Sequence, residues 1–430
     1  MKIKTERADY RTVMALPRPA HRNPLRPGVL FRTLMRVASI PDLVATRFSY
    51  VNEVPASLLD QPCLILMNHS CFLDLEIAAR ILFPHPYGII CTSDGFVGKE
   101  AFMRHLGCIP TQKYVTDMTL IRDMKYALRE KKMSVLMYPE ASYSFDGRPT
   151  PLPDSLPGLL KLLDVPVLMI RTEGAFLRDP LYNGLQKRKV RVSARFTCLA
   201  TPEQIRACSA GELGDLLRQA FAMDYFHEQA EHGVRVKEPF RADGLERILY
   251  TCPVCGQEGK MEGKGTRLTC HACGASWQMD DLGRMESEKS TAGRGGFAQI
   301  PDWYDWERQL VRQSLEDGTY RLDVPVRIGM MVDYKAIYMV GEGRLIHDGD
   351  GFCLTGCEGA LHYTQKPLAS YGLYADYFWY ELGDVICIGN RDALYYCFPP
   401  AGTPVAKARL AAEELFRMKK AQKRVPLHQG

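Results

Sequence analysis

Between residues 62 and 200 the chain alternates short apolar runs with stretches whose apolar positions recur every three or four residues. The runs "PCLILMN", "YGIICT", "GCIPT", "MSVLMYPE", "VPVLMIRTEG" and "KVRVSARFTCLA" read as strands. "EIAARIL", "GKEAFMRHL", "MTLIRDMKYALREKK" and "SLPGLLKLL" between them read as helices. Several of the strands are apolar at every position rather than at every second one, which predicts a sheet covered by helices on both faces. The pattern is that of an α/β domain with a mixed sheet. Gly107 after "AFMRHL" predicts a helix stop. Two further helical stretches, "PEQIRACS" and "GELGDLLRQAFAMDYFHEQAEHG", carry the chain to a basic connector near residue 240.

Three other stretches have patterns of their own. "PGVLFRTLMRVASIPDLVATRFSYV" (28–51) sets apolar residues at 30, 31, 34 and 35 beside Arg32 and Arg36, an amphipathic helix that suits an anionic membrane surface or the face of a neighbouring domain. "CPVCGQEGKMEGKGTRLTCHAC" holds two C-x-x-C pairs separated by fourteen residues. After a Gly/Ser/charged linker, "DWYDWERQLVRQSL" reads as a helix, then aromatic and β-branched runs as short strands, and "PVAKARLAAEELFRMKKAQK" as a closing helix. The expected domains are an arm with the amphipathic helix at 1–50, the α/β domain at 51–240, the cysteine module at 248–282, a linker at 283–300 and a β-rich domain at 301–425. The order of elements in the last, several strands and then one helix, resembles a pleckstrin-homology or GRAM-like barrel.

Composition narrows the partners. At 430 residues, 46% hydrophobic and 24% charged, the chain is ordinary globular protein with room for two or three domains. A net charge of +5 permits anionic partners such as lipid headgroups without demanding nucleic acid, and none is expected. The first 30 residues hold no continuous apolar segment of a secretory signal, and no uncharged apolar run reaches the roughly 18 residues of a membrane span. The expectation is a cytoplasmic protein, peripheral on the inner face of the membrane. Fourteen cysteines fit that compartment as thiols or metal ligands. Cys252, Cys255, Cys270 and Cys273 have the spacing of a zinc ribbon, and four protein ligands make a closed, structural Zn2+ site. His271 lies between the last two and is expected to be a bystander.

The chemistry is expected in "MNHSCFLD". On a regular helix, residues five apart stand roughly 140° apart around the axis, so His69 and Asp74 could not share a face. With "CLILMN" as a strand, His69 falls in the turn at its carboxyl end and Asp74 on the first turn of the next helix, and the two converge. A histidine base oriented by a carboxylate suits activation of a hydroxyl. Ser70 and Cys71 adjoin the base, which raises the alternative of a nucleophile. Amides at the start of the helix are candidates for an oxyanion site.

"NHSCFLD" resembles the His-x4-Asp signature of the glycerolipid acyltransferase family, and "LGCIPTQK" (106–113), "MYPEAS" (137–142) and "DVPVLMI" (164–170) follow in the family's order of blocks. The resemblance implies transfer of an acyl group from acyl-CoA or acyl-carrier protein to the hydroxyl of a lysophospholipid, most expectedly 1-acylglycerol-3-phosphate. It implies that His69 and Asp74 are catalytic. Lys113 stands where the family places an arginine that meets the acceptor phosphate. Pro139-Glu140-Ala141-Ser142-Tyr143 replaces Pro-Glu-Gly-Thr-Arg, keeping Glu140 but losing the arginine. Arg148 or Arg171 would then supply the cation, and Glu140 and Ser142 join them as substrate-site candidates. Pro166 in the fourth block is expected to shape the acyl pocket. Two alternatives stay open: an acceptor without phosphate, and a degenerate membrane-recruiting scaffold without activity.

Overall fold

The computed structural model describes residues 2–115, 117–184, 186–288 and 296–424. They fall into two compact units, an α/β unit within residues 20–181 and 185–238 and a β-rich unit within residues 2–19, 182–184 and 239–424. Strands are numbered along the chain, and β1 (Thr5–Arg7) belongs to the β-rich unit.

The α/β unit is built on β2 (Ser49–Asn52), β3 (Leu64–Met67), β4 (Tyr87–Thr92), β5 (Cys108–Thr111), β6 (Ser134–Met137), β7 (Val167–Glu173) and β8 (Ser193–Ala200). Their spatial order is β2-β8-β7-β3-β6-β4-β5. All neighbours are parallel except β7 and β8, so the sheet is mixed, as expected. All four residues of central β3 are buried. Leu64 and Leu66 join Val135, Met169, Met124, Leu128, Leu160 and Leu217 in one core. Ile65 and Met67 alternate to the opposite face and are just as buried, which is why the run shows no period of two. Because β3, β6 and β7 are parallel neighbours, their carboxyl ends lie side by side on one edge of the sheet, where α/β folds place their ligands.

Gly107 ends the helix Glu100–His105 as expected, with φ +88° and a position where a Cβ would stand 2.8 Å from the Tyr87 carbonyl oxygen. Two helical stretches differ from expectation. The segment from 28 to 51 forms two helices, Val29–Ala38 and Ile40–Ala45, followed by β2. Pro41 explains the break: without an N–H it sits comfortably only in the first turn of a new helix. Val29, Leu30, Leu34 and Val37 are exposed, and the first of the two helices buries no residue. The stretch after 210 also divides, into Ala210–Phe221 and Tyr225–Glu231, because Asp224 caps the second helix by accepting from the His227 N–H at 3.0 Å.

In the β-rich unit, β9 (Met261–Lys264), β10 (Arg267–Cys270), β11 (Ser276–Met279) and β12 (Met285–Ser287) form a small antiparallel sheet. β12 lies inside the stretch expected as linker, with Met285 turned inward, and residues 289–295 of that stretch lie outside the described residues. The helix Ile300–Glu316 follows, then β13 (Leu322–Met331), β14 (Ile337–Asp348), β15 (Gly351–Gly356), β16 (Leu361–Gln365), β17 (Tyr374–Trp379), β18 (Gly383–Gly389), β19 (Leu394–Phe398) and the helix Val405–Arg424. The strands run antiparallel in the order β16-β15-β14-β13-β19-β18-β17, and β1 adds to β14 in parallel. The path ends at β16 and β17, and among the described residues no pairing joins the two. Among the described residues no helix is long and apolar enough to cross a membrane.

Candidate active site and metal centre

The carboxyl end of β3 is shaped by one oxygen. Asp74 Oδ2 accepts the backbone N–H of Ser70 at 2.6 Å and of Cys71 at 3.1 Å, and lies 3.2 Å from His69 Nδ1. Asp74 is fully buried, and its Oδ1 has no hydrogen-bond partner among the described residues. A carboxylate oxygen can only accept, so the contact with Asp74 puts the His69 proton on Nδ1 and leaves Nε2 unprotonated. The convergence expected from the sequence is therefore present. The amides considered for an oxyanion are in part occupied: those of Ser70 and Cys71 bind Asp74 instead.

Glu140 holds the same turn from β6. One of its oxygens accepts the His69 N–H at 2.7 Å and the other the Thr150 N–H at 3.0 Å. Its neighbour Ala141 has φ +57°, a left-handed conformation that costs a residue with a Cβ about 1–2 kcal/mol, which gives a physical reason for glycine at this place in the family's motif. Tyr138 and Tyr143 flank the imidazole, with ring centroids 4.1 Å and 4.4 Å from that of His69. Burial holds the His69 imidazole below its ordinary pKa; the hydrogen bond and charge of Asp74 pull the other way without prevailing, and the Lys113 charge adds to the lowering. A neutral imidazole near pH 7 is the form a general base needs.

The expected site residues separate into groups. Arg148 lines the same cleft as Asn68, His69, Ser70, Glu140 and Ser144, together with Pro149, Phe221, Met223 and Tyr225. Arg148 is held by Asp146, with Nε and Nη2 each 2.7 Å from Oδ2. Lys113 is half-buried. Ser142 is buried, its Oγ 3.1 Å from the Tyr114 hydroxyl. Arg171 is not among the residues lining the cleft; its Nη2 lies 3.8 Å from Glu228. The nucleophile alternative has little support: Cys71 is fully buried with its thiol pushed well above the ordinary pKa by that burial, and the Ser70 Oγ is 3.1 Å from the Tyr225 hydroxyl.

In the β-rich unit the sulfurs of Cys252, Cys255, Cys270 and Cys273 lie within 4.8 Å of one another, with Cys252–Cys273 at 3.7 Å and Cys255–Cys270 at 3.8 Å. Four sulfurs each about 2.3 Å from one tetrahedral zinc would stand about 3.8 Å apart, so the spacing fits that ion. Each knuckle turns on a glycine, Gly256 and Gly274, both with φ +72°. The Gly256 N–H returns to the Cys252 carbonyl and that of Gly274 to the Cys270 carbonyl, each at 2.8 Å. His271 points to Glu262 at 2.9 Å, outside the cluster.

Residues 46–171 match the family described as Acyltransferase. The match spans β2 to β7 and contains His69, Asp74, Lys113, Glu140 and Arg148. Among solved structures the chain is similar to the 1-acyl-sn-glycerophosphate (LPA) acyltransferase, PlsC, from Thermotoga maritima, at 15% identity and a TM-score of 0.36 over 44% of this chain and 76% of that one. No curated protein matches it.

Proposed function

We propose that the α/β unit is an O-acyltransferase that moves a fatty acyl group from an acyl thioester, acyl-CoA or acyl-carrier protein, to the hydroxyl of a lysophospholipid, with 1-acylglycerol-3-phosphate as the leading acceptor. The observation that carries this is the His69–Asp74 pair, lodged in a cleft with Arg148 inside residues that match the Acyltransferase family. His69 Nε2 takes the proton of the acceptor hydroxyl as its oxygen attacks the thioester carbonyl. Asp74 keeps the tautomer and stabilises the imidazolium. Collapse of the tetrahedral intermediate breaks the C–S bond, and the imidazolium returns the proton to the departing sulfur. The products are an ester and a free thiol. Arg148 and Lys113 supply the positive charge for an acidic acceptor.

One observation favours a second acceptor class. Tyr143 packs against His69 where the family's motif has arginine, so a neutral hydroxyl such as that of a monoacylglycerol is the competing reading. Assays of His69→Ala with acyl-CoA and either acceptor separate these. The variant should lose about 10²–10⁴-fold in turnover, and wild-type kcat/KM should rise with pH along one limb and level off once His69 is neutral. That limb should lie below the ordinary imidazole value of about 6.5, since burial lowers the group. Wild-type turnover in the variant would end the proposal. Transfer to monoacylglycerol alone would replace the acceptor.

The four sulfurs are proposed to hold one structural zinc, since protein fills every position and the module is too small to rest on its own core. Purified protein should carry one zinc per chain by metal analysis. Chelation should speed hydrogen exchange across β9 to β11 while transfer at His69 is largely kept. Disulfides in place of bound metal would contradict the assignment.

Membrane contact is proposed through the exposed Leu30, Leu34 and Val37 on the helix Val29–Ala38. Leu30→Asp with Leu34→Asp should abolish co-sedimentation with vesicles containing anionic lipid. Binding equal to that of the wild type would show that this face does something else.

A further inference from the structure

We infer that Tyr225 is a positioning residue for the histidine base, fixing the Asn68–Ser70 turn from a helix that lies beyond the residues matching the family. The inference rests on His69 being the base. Tyr225 is buried, and its hydroxyl stands among three groups: Asn68 Nδ2 at 2.7 Å, Ser70 Oγ at 3.1 Å and the Thr172 carbonyl at 3.0 Å. A phenol has one proton and two lone pairs, so donating to Thr172 while accepting from Asn68 and Ser70 uses all its capacity. The two acceptor contacts reach the residues immediately before and after His69.

The rest of the network locks the same turn. Asn68 Oδ1 accepts the Thr172 N–H at 2.8 Å, and its Nδ2 lies 2.8 Å from Thr172 Oγ1, so the side chain continues the β3–β7 pairing past the end of β3. The Tyr225 N–H donates to the Gly147 carbonyl at 3.0 Å, in the loop where the Ser144 N–H meets the His69 carbonyl at 3.3 Å. The ring stacks on Phe176, with centroids 5.3 Å apart and planes 17° from parallel. Tyr225 also lines the cleft that holds His69, Glu140 and Arg148. It therefore touches the residues on either side of the base and the loop that meets the His69 carbonyl, and not the reacting atoms themselves.

A tyrosine that merely fills the core would show its loss in stability alone. A positioning residue shows it in the chemistry of the base. Tyr225→Phe keeps the ring and its stacking and removes the hydroxyl from Asn68 and Ser70. Per folded molecule, kcat should fall about 10- to 100-fold, the order of loss for a small misplacement of a catalytic group, with KM for acyl-CoA changed by less than about threefold. As the turn relaxes and admits water, the acid limb of the pH–rate profile should move up toward about 6.5. Ser70→Ala, which breaks one of the same contacts, should give a smaller loss, and the two losses should not multiply in the double variant. Wild-type kcat with an unshifted limb in Tyr225→Phe would overturn the inference, as would a loss explained wholly by a lower folded fraction with Ser70→Ala unaffected. His69→Ala assayed alongside separates the two levels. Retained turnover there removes the base itself, whereas an inactive His69→Ala beside a wild-type-like Tyr225→Phe removes only the role of Tyr225.

Discussion

The site depends on the three donors gathered at Asp74 Oδ2. β3 brings a fully apolar strand to the edge of the sheet, and its chain must turn there without leaving buried N–H groups unpaired. The Ser70 and Cys71 amides find their acceptor in a side chain from the first turn of the next helix, and that same oxygen takes the His69 ring. One carboxylate thus caps the strand-to-helix turn and orients the imidazole. Its place in the first helical turn also suits the helix dipole, which favours negative charge there. Loss of Asp74 would disturb fold and chemistry together, which is why the spacing of four residues between the two leaves so little freedom.

Much of this was legible in the sequence because it is local. His69 and Asp74 are five positions apart, and a run such as Leu64–Met67, apolar at every position, states that both faces are covered. Gly107 and the four cysteines are likewise read from nearest neighbours. What was not legible is long-range or lacks an apolar signal. Tyr225 lies 155 positions beyond Ser70, and nothing near it in the chain announces the contact. β1 is Thr-Glu-Arg, exposed throughout, with no apolar pattern to announce its pairing with β14. Arg148 and Arg171 were equal candidates from their sequence, and only the fold separates the one lining the cleft from the one facing Glu228. The break at Pro41 could have been read, since proline opens helices and does not continue them.

In the β-rich unit a comparable economy holds the first cysteine knuckle. The helix Ile300–Glu316 holds the Thr251 backbone at both its polar groups: the carbonyl accepts from Trp303 Nε1 at 3.1 Å, and the N–H donates to Glu307 at 2.6 Å. Glu307 is fully buried, and burial pushes its carboxyl well above the ordinary range, against the lowering effect of the backbone hydrogen bonds it accepts. Trp277 of β11 meets Trp303 edge to face at 4.9 Å. The four-stranded module therefore has two anchors, the sulfur cluster and this helix, neither of which a sheet of three- and four-residue strands could replace with apolar area.

The central claim is that His69 acts on the acceptor directly, with no acyl group passing through the protein. Intact-protein mass spectrometry after rapid mixing with an acyl thioester tests it. The account predicts an unchanged protein mass before and after a lysophospholipid is added, with acylated lipid and free thiol formed only once that acceptor is present. A protein carrying the acyl group on Ser70 or Cys71 before the acceptor is added would contradict it.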